Sequence, residues 1–261
     1  MYKQSTKANG GDCLVVKSSP IQVNPKFVPV GYDDAVVGGV RTTFTAKAQE
    51  DVFLKYFYLS SGTEGVVNDI RIGNQSLNCS DSAIDASLFG LTPLGLQRKP
   101  FIGVAVDGNI QMSIDVTFDG SSPNNFFQGA FSCEAVEKAP TLQAQGQALN
   151  KFFGLGTVNV GAGASATLSA QALRDCFLKD LVLRAHSGTA LGLVVTDITI
   201  KGRSIFSGQA SDAVDARFYS PELSGMLEGI NVAIETNQRV QVTILNTTGT
   251  AVLVGGGLYA E

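Results

Sequence analysis

Ile110, Met112, Ile114, Val116 and Phe118 alternate without a break with Gln111, Ser113, Asp115 and Thr117. Successive side chains on a strand point to opposite faces. The stretch therefore predicts an antiparallel strand with one face on a core and the other towards water. Shorter apolar runs bounded by Gly, Pro, Asn and Asp predict further strands at 36–45, 52–59, 66–72, 101–106 and 126–133 in the first half. In the second half they fall at 156–168 (one strand or two), 176–184, 191–200, 230–234, 239–245 and 251–259. Helical periodicity is scarce. Ser80 and Ser211 are placed to cap two short helices, the first over 81–89, with Asp81, Asp85, Asp212 and Asp215 near their starts.

The two halves repeat one another. GVAVDGNIQMSIDVTF at 103–118 aligns without a gap on GINVAIETNQRVQVTI at 229–244, an offset of 229 − 103 = 126. That offset places Val116 on Val242 and Gly129 on Gly255. Upstream, Phe53-Leu-Lys55 recurs as Phe177-Leu-Lys179, and Asp69-Ile-Arg-Ile72 recurs as Asp197-Ile-Thr-Ile200. Ala83-Ile-Asp-Ala86 recurs as Ala213-Val-Asp-Ala216. A repeat of this length is a whole domain rather than a solenoid unit. The expected fold is all-β: two tandem, similar β-sandwich domains of about eight strands and one short helix each. The expected division is an N-terminal arm at 1–26, a first domain at 27–137, a linker at 138–151 and a second domain at 152–261.

Composition removes several functions. Charged residues are 16% of the chain and the net charge is −4, so no basic face for nucleic acid is indicated. No apolar run reaches the length of a bilayer-spanning helix, and the first eleven residues contain no signal-peptide core. Cys13, Cys79, Cys133 and Cys176 form no metal-type pair and read as free thiols of a reducing compartment.

Catalytic candidates are sparse. His186 is the single histidine, in a predicted turn with no carboxylate or nucleophile motif beside it, and reads as a surface residue. The glycine-rich run at 154–164 lacks the strand–loop–helix frame of a phosphate loop and reads as close strand packing. Gly255-Gly-Gly257 reads as a bulge or a close backbone approach. The four aspartates read as helix-terminal stabilisers in preference to cation ligands. No catalytic, cofactor-binding or metal-binding residue is assigned, no cofactor is expected, and the chain does not read as an enzyme. A bicupin would need clustered metal-binding histidines, and there is one histidine.

The repeated blocks at 53–55 and 177–179, and at 103–118 and 229–244, in a chain without catalytic motifs, resemble the architecture of double jelly-roll major capsid proteins. These coat tailless, icosahedral, membrane-containing bacteriophages of the marine type. The resemblance spans about residues 27–261. It implies a jelly-roll fold for both domains and a structural coat function in the virion after assembly in the host cytoplasm. It also implies pseudo-hexagonal homotrimers that contact neighbouring capsid trimers. A viral membrane or minor capsid proteins would lie on the inner face, with no direct nucleic-acid binding. The alternative from a different class is a duplicated receptor- or carbohydrate-binding module of a phage fibre or adhesin. The absence of tryptophan counts against that alternative.

Overall fold

The structure, a computed structural model, describes residues 27–33, 36–60, 65–89, 101–119, 127–139, 151–186, 192–205, 213–220 and 230–261. Cys13, Ser211, Asp212, the arm and most of the expected linker lie outside the described residues.

The first sandwich contains β1 (Phe27–Asp33), β2 (Arg41–Lys47), β3 (Val52–Leu59), β4 (Gly65–Ile72), β5 (Gln75–Ser76), β6 (Ile84–Asp85), β7 (Phe101–Val106), β8 (Gln111–Phe118) and β9 (Phe127–Ala135). One sheet has the order β1-β9-β3-β7, and the facing sheet runs β2-β8-β4 with β5 and β6 both paired to β4. The second sandwich contains β10 (Lys151–Val160), β11 (Ser165–Gln171), β12 (Cys176–Ala185), β13 (Leu193–Ile200), β14 (Arg203–Ser204), β15 (Val214–Asp215), β16 (Val232–Ile234), β17 (Arg239–Asn246) and β18 (Val252–Ala260). Its sheets are β10-β18-β12-β16 and β11-β17-β13, with β14 and β15 on β13. Among the described residues, and leaving aside the two-residue strands β5 and β14, each half has eight strands in the jelly-roll order, and the pairings between these strands are antiparallel.

The alternation read in the sequence is the burial pattern of β8: Met112, Ile114, Val116 and Phe118 are buried, and the residues between them are not. Its counterpart β17 shows the same pattern through Val240, Val242, Ile244 and Asn246. β1 is not among the strands expected from the sequence, since it contains Pro29. It is an edge strand, and Pro29 sits beside a bulge where its missing N–H leaves no gap in the ladder.

The short helices are corrected. Among the described residues each half has one 3₁₀ turn, η1 (Ala86–Phe89) and η2 (Ala216–Tyr219), and the residues before each turn, Asp85 and Asp215, are in strands. The caps are these aspartates: Asp85 Oδ1 accepts from the Ser87 N–H at 2.9 Å, and Asp215 Oδ1 from the Arg217 N–H at 2.9 Å. Ser80 is not a cap; its hydroxyl donates to the Gly154 carbonyl at 2.9 Å.

The bulges fix the true register of the duplication. β4 slips against β8 between Val67 and Asp69, and β13 slips against β17 between Val195 and Asp197. Val67 faces Val116 and Val195 faces Ile244, so Val116 corresponds to Ile244 and not to Val242. The offset there is 244 − 116 = 128. In the first sheets, Gly31 pairs with Gly129 beyond one bulge and Gly156 with Gly256 beyond the other, so Gly129 corresponds to Gly256 and not to Gly255. The offset in the last strand is 256 − 129 = 127. A slip of two residues keeps every side chain on its own face, so alternation alone cannot detect it.

Candidate functional site

The place where most chemistry-bearing side chains meet is the junction between the sandwiches. The segment after β5 leaves the first sandwich and is sewn into the second. The Phe152 N–H donates to the Leu77 carbonyl at 2.7 Å, and the Cys79 N–H to the Phe152 carbonyl at 2.8 Å. Further on, the Asp81 N–H donates to the Gln171 carbonyl at 2.9 Å, and the Gly156 N–H to the Ala83 carbonyl at 3.0 Å. The two apolar cores interleave here: Phe152 and Val182 pack into the first, and Cys79 into the second.

Two glycines make the approach possible. A Cβ on Gly154 would lie 2.4 Å from the Ala83 carbonyl oxygen, and one on Gly255 would lie 2.2 Å from Asp85 Oδ2. Gly154, Gly156, Gly255 and Gly256 are therefore close approaches, whereas Gly161 and Gly163 lie at the turn after β10 and meet no close neighbour.

Asp85 is fully buried. Oδ1 accepts from Ser87, and Oδ2 pairs with His186 Nε2 from the other sandwich. His186 was read as a turn residue without a carboxylate beside it. The turn is there, just beyond β12, with the residue exposed and its side chain 27% exposed, but a carboxylate does stand beside it, supplied by the other copy. Serine, aspartate and histidine thus meet, but in an order unlike that of a hydrolytic triad. There the imidazole reaches the serine hydroxyl; here the carboxylate stands between them and takes the serine hydroxyl itself.

Two arginines complete the junction. Arg184 Nη1 donates to the Ser87 carbonyl at 2.6 Å, and Arg174 Nη2 to the carbonyls of Ser76 and of Asn78, the latter at 3.1 Å. The Cys79 and Cys176 sulfurs lie 3.5 Å apart, both buried and unbridged. A cavity of about 20 Å³ remains between Leu88, Phe89, Phe152 and Tyr259. That is room for a water, far below the few hundred Å³ of a small-molecule site. The arrangement holds two bodies together and offers no open reaction centre.

The paired aspartates differ between halves. Asp85 is used by the junction, whereas Asp215 is held by Arg217 of its own turn at 2.5 Å, which lowers its pKa below the usual carboxylate value. Asp81 accepts from the Gln171 N–H at 2.7 Å across the junction. Among the described residues no group of three or more His, Cys, Asp or Glu is placed to hold a metal ion, and no helix is long and apolar enough to cross a membrane.

A second polar recess, of about 270 Å³, lies among Thr43, Asp69, Arg71, Ser113 and Asp115 in the β2-β8-β4 sheet. Its charges are compensated in place: Arg71 holds Asp69 at 2.6 Å, and Arg41 holds Asp115.

Sequence reasoning missed Arg174, Arg184 and the Asp85–His186 pair as junction residues. A signal was present: Arg184 and His186 stand where the first copy has Ser60 and Gly62, and Ser87 where the second has Arg217. The two cations that reach across have no counterpart in the first copy, although other one-sided charges, Arg41 and Arg217 among them, pair within their own sandwich.

No family model and no curated protein matches the chain. Among solved structures, the chain is similar to the major capsid protein P2 of bacteriophage PM2, at 11% identity and a TM-score of 0.43, over 89% of this chain and 96% of that one.

Proposed function

We propose that the chain is a structural coat subunit of a virion, a double jelly roll that assembles as a homotrimer. The single observation that carries this reading is the tandem of two sandwiches with one strand order, locked side by side by a shared segment. Such a unit is rigid and carries two similar bodies. Three copies around one axis present six similar bodies, and that nearly hexagonal outline tiles a surface with one kind of chain. Closed cyclic assembly is common for homo-oligomers. In this reading the domains are 27–137 and 152–261, joined by the linker 138–151. The arm 1–26 reaches a neighbouring trimer or the inner face, where a membrane or minor coat proteins lie. The chain carries out no catalysis, and the junction is a structural lock.

Light scattering on purified protein tests the reading directly, and negative-stain microscopy shows the outline. A trimer of hexagonal profile is expected. A stable monomer at micromolar concentration removes the coat reading and favours the receptor- or carbohydrate-binding module, for which exposed Tyr32 is a stacking surface.

A further inference from the structure

Among the described residues, three of the seven exposed large apolar side chains, Phe27, Ile205 and Phe218, are the counterparts of residues that the internal junction buries. Leu77 is fully buried at the junction, and its N–H donates to Ile70. Its counterpart in the second sandwich is Ile205, whose N–H donates to Ile198 in the same way, yet Ile205 is 39% exposed. Leu88 in η1 is 8% exposed, while Phe218 at the same place in η2 is 40% exposed. On the receiving side, Phe152 pairs with Tyr259 and is 4% exposed. Phe27 pairs with Ser132 at the matching position of β1 and β9, and is 59% exposed. Three matched pairs run the same way: buried where a neighbouring sandwich covers them, exposed where none does.

We infer that the second sandwich of one copy docks, through Ile205 and Phe218, on the Phe27 face of the first sandwich of another copy, repeating the internal junction between chains. This rests on the trimer reading and gives that trimer its interface. The occupant is a second copy because the complementary surface is already on the chain, and because the internal junction shows how such surfaces meet.

The repeat is not atom for atom, and the differences fit one another. Pro29 and Gln128 stand where the internal junction needs Gly154 and Gly255, so two chains cannot approach as closely as the two halves do. The apolar side chains are correspondingly larger: Phe218 replaces Leu88, and half-buried Tyr58 replaces Val182. Asp215, satisfied by its own Arg217, needs no histidine from the neighbour. The contact is then apolar and aromatic, as the centres of protein interfaces are. It is heterologous and closes into a ring when the rotation allows.

The test is the oligomeric state of full-length Phe27→Asp, Ile205→Asp and Phe218→Asp by size exclusion with light scattering. Circular dichroism serves as the check on folding. Each side chain is exposed in the monomer, so folding is expected to persist. Subunit affinity is expected to fall about 30-fold or more, as for interface hot spots. Val37→Asp, at an exposed position outside the matched set, is expected to leave the oligomer intact. As a positive test, a Phe27→Cys/Phe218→Cys double variant in a Cys13→Ser background is expected to give chain-to-chain disulfides on oxidation, and either single variant in that background none. Trimers of unchanged affinity in the aspartate variants, with no crosslink in the double variant, overturn this interface and leave the coat reading standing. A monomeric wild type overturns both.

Discussion

The two sandwiches are one frame filled in two ways. The first core is aromatic: Phe44 stacks on Phe127 at 3.7 Å, and Phe57 packs against Phe89 and Phe131. At the matching places of the second are Leu168, Val254, Leu181, Tyr219 and Leu258. Phe118 becomes Asn246, fully buried. Its amide donates to the Val160 and Thr250 carbonyls, and its oxygen accepts from Thr248. The polar faces differ as well: Arg41, Arg71 and Asp115 stand where the second sandwich has Ser165, Thr199 and Thr243. What persists is the set of positions facing each sandwich's own interior in β8 and β17, the bulges and a few side-chain anchors. A frame of this kind specifies where apolar mass must lie and tolerates wide choice in its shape.

One repeated anchor is the aspartate of the second strand pair. Asp69 accepts from Arg71 at 2.6 Å and from Ser76 at 2.5 Å; Asp197 accepts from Thr199 at 2.8 Å and from Ser204 at 2.5 Å. A second is the aspartate that pins the hairpin opposite. Asp51 accepts from the N–H groups of Ala139 at 2.8 Å and Gly108 at 3.1 Å. Asp175 accepts from the Thr236 N–H at 2.7 Å and from its hydroxyl at 2.9 Å. A third is the ion pair at the end of the sheet, Lys55 with Glu134 and Lys179 with Glu261.

The largest expected effect is in the aromatic core. Phe57→Ala is expected to destabilise by about 4 kcal/mol, and Leu181→Ala by about 3 kcal/mol, in chemical denaturation of the full chain. Equal losses would show that the extra ring mass of the first core adds nothing. Next come the two cap aspartates. Asp85→Ala removes a buried cap and the partner of His186, and is expected to cost about 3 kcal/mol. Asp215→Ala, at a partly exposed pair, is expected to cost about 1 kcal/mol. A reversed order would mean that the junction contributes less than a surface turn.

A smaller effect is acid sensitivity. Backbone hydrogen bonds, from Ala139 and then Gly108, lower the pKa of Asp51; those of Thr236 lower that of Asp175. A depressed folded-state pKa means that the contribution is present above the unfolded value, near pH 4, and is lost as pH falls through the folded one. Asp51→Asn and Asp175→Asn should each flatten the acid limb of a stability–pH profile below about pH 4. An unchanged limb in both would exclude these anchors as its source. The smallest effect belongs to the repeated surface ion pair. Lys55→Met and Lys179→Met should each change stability by roughly 0–1 kcal/mol, with the difference fading in high salt.

Alternation, turn residues and the internal repeat determined a good deal by themselves: an all-β chain, two similar sandwiches, most strands, and equivalent places for η1 and η2. These are local signals, since a period of two and a Gly or Pro turn need no knowledge of distant residues. The repeat read as gapless along β8 and β17 was two residues out, because an even slip leaves every side chain on its own face. In β9 and β18 the true offset is odd, and only the pairing of Gly129 with Gly31 and of Gly256 with Gly156 reveals it. The site depended more heavily on tertiary structure. Asp85 and His186 are 101 residues apart and belong to different copies, and no local pattern links them. Which copy of each pair is covered was likewise decided in three dimensions. Leu77 and Ile205, or Phe152 and Phe27, are alike as sequence and differ only in whether another sandwich lies against them.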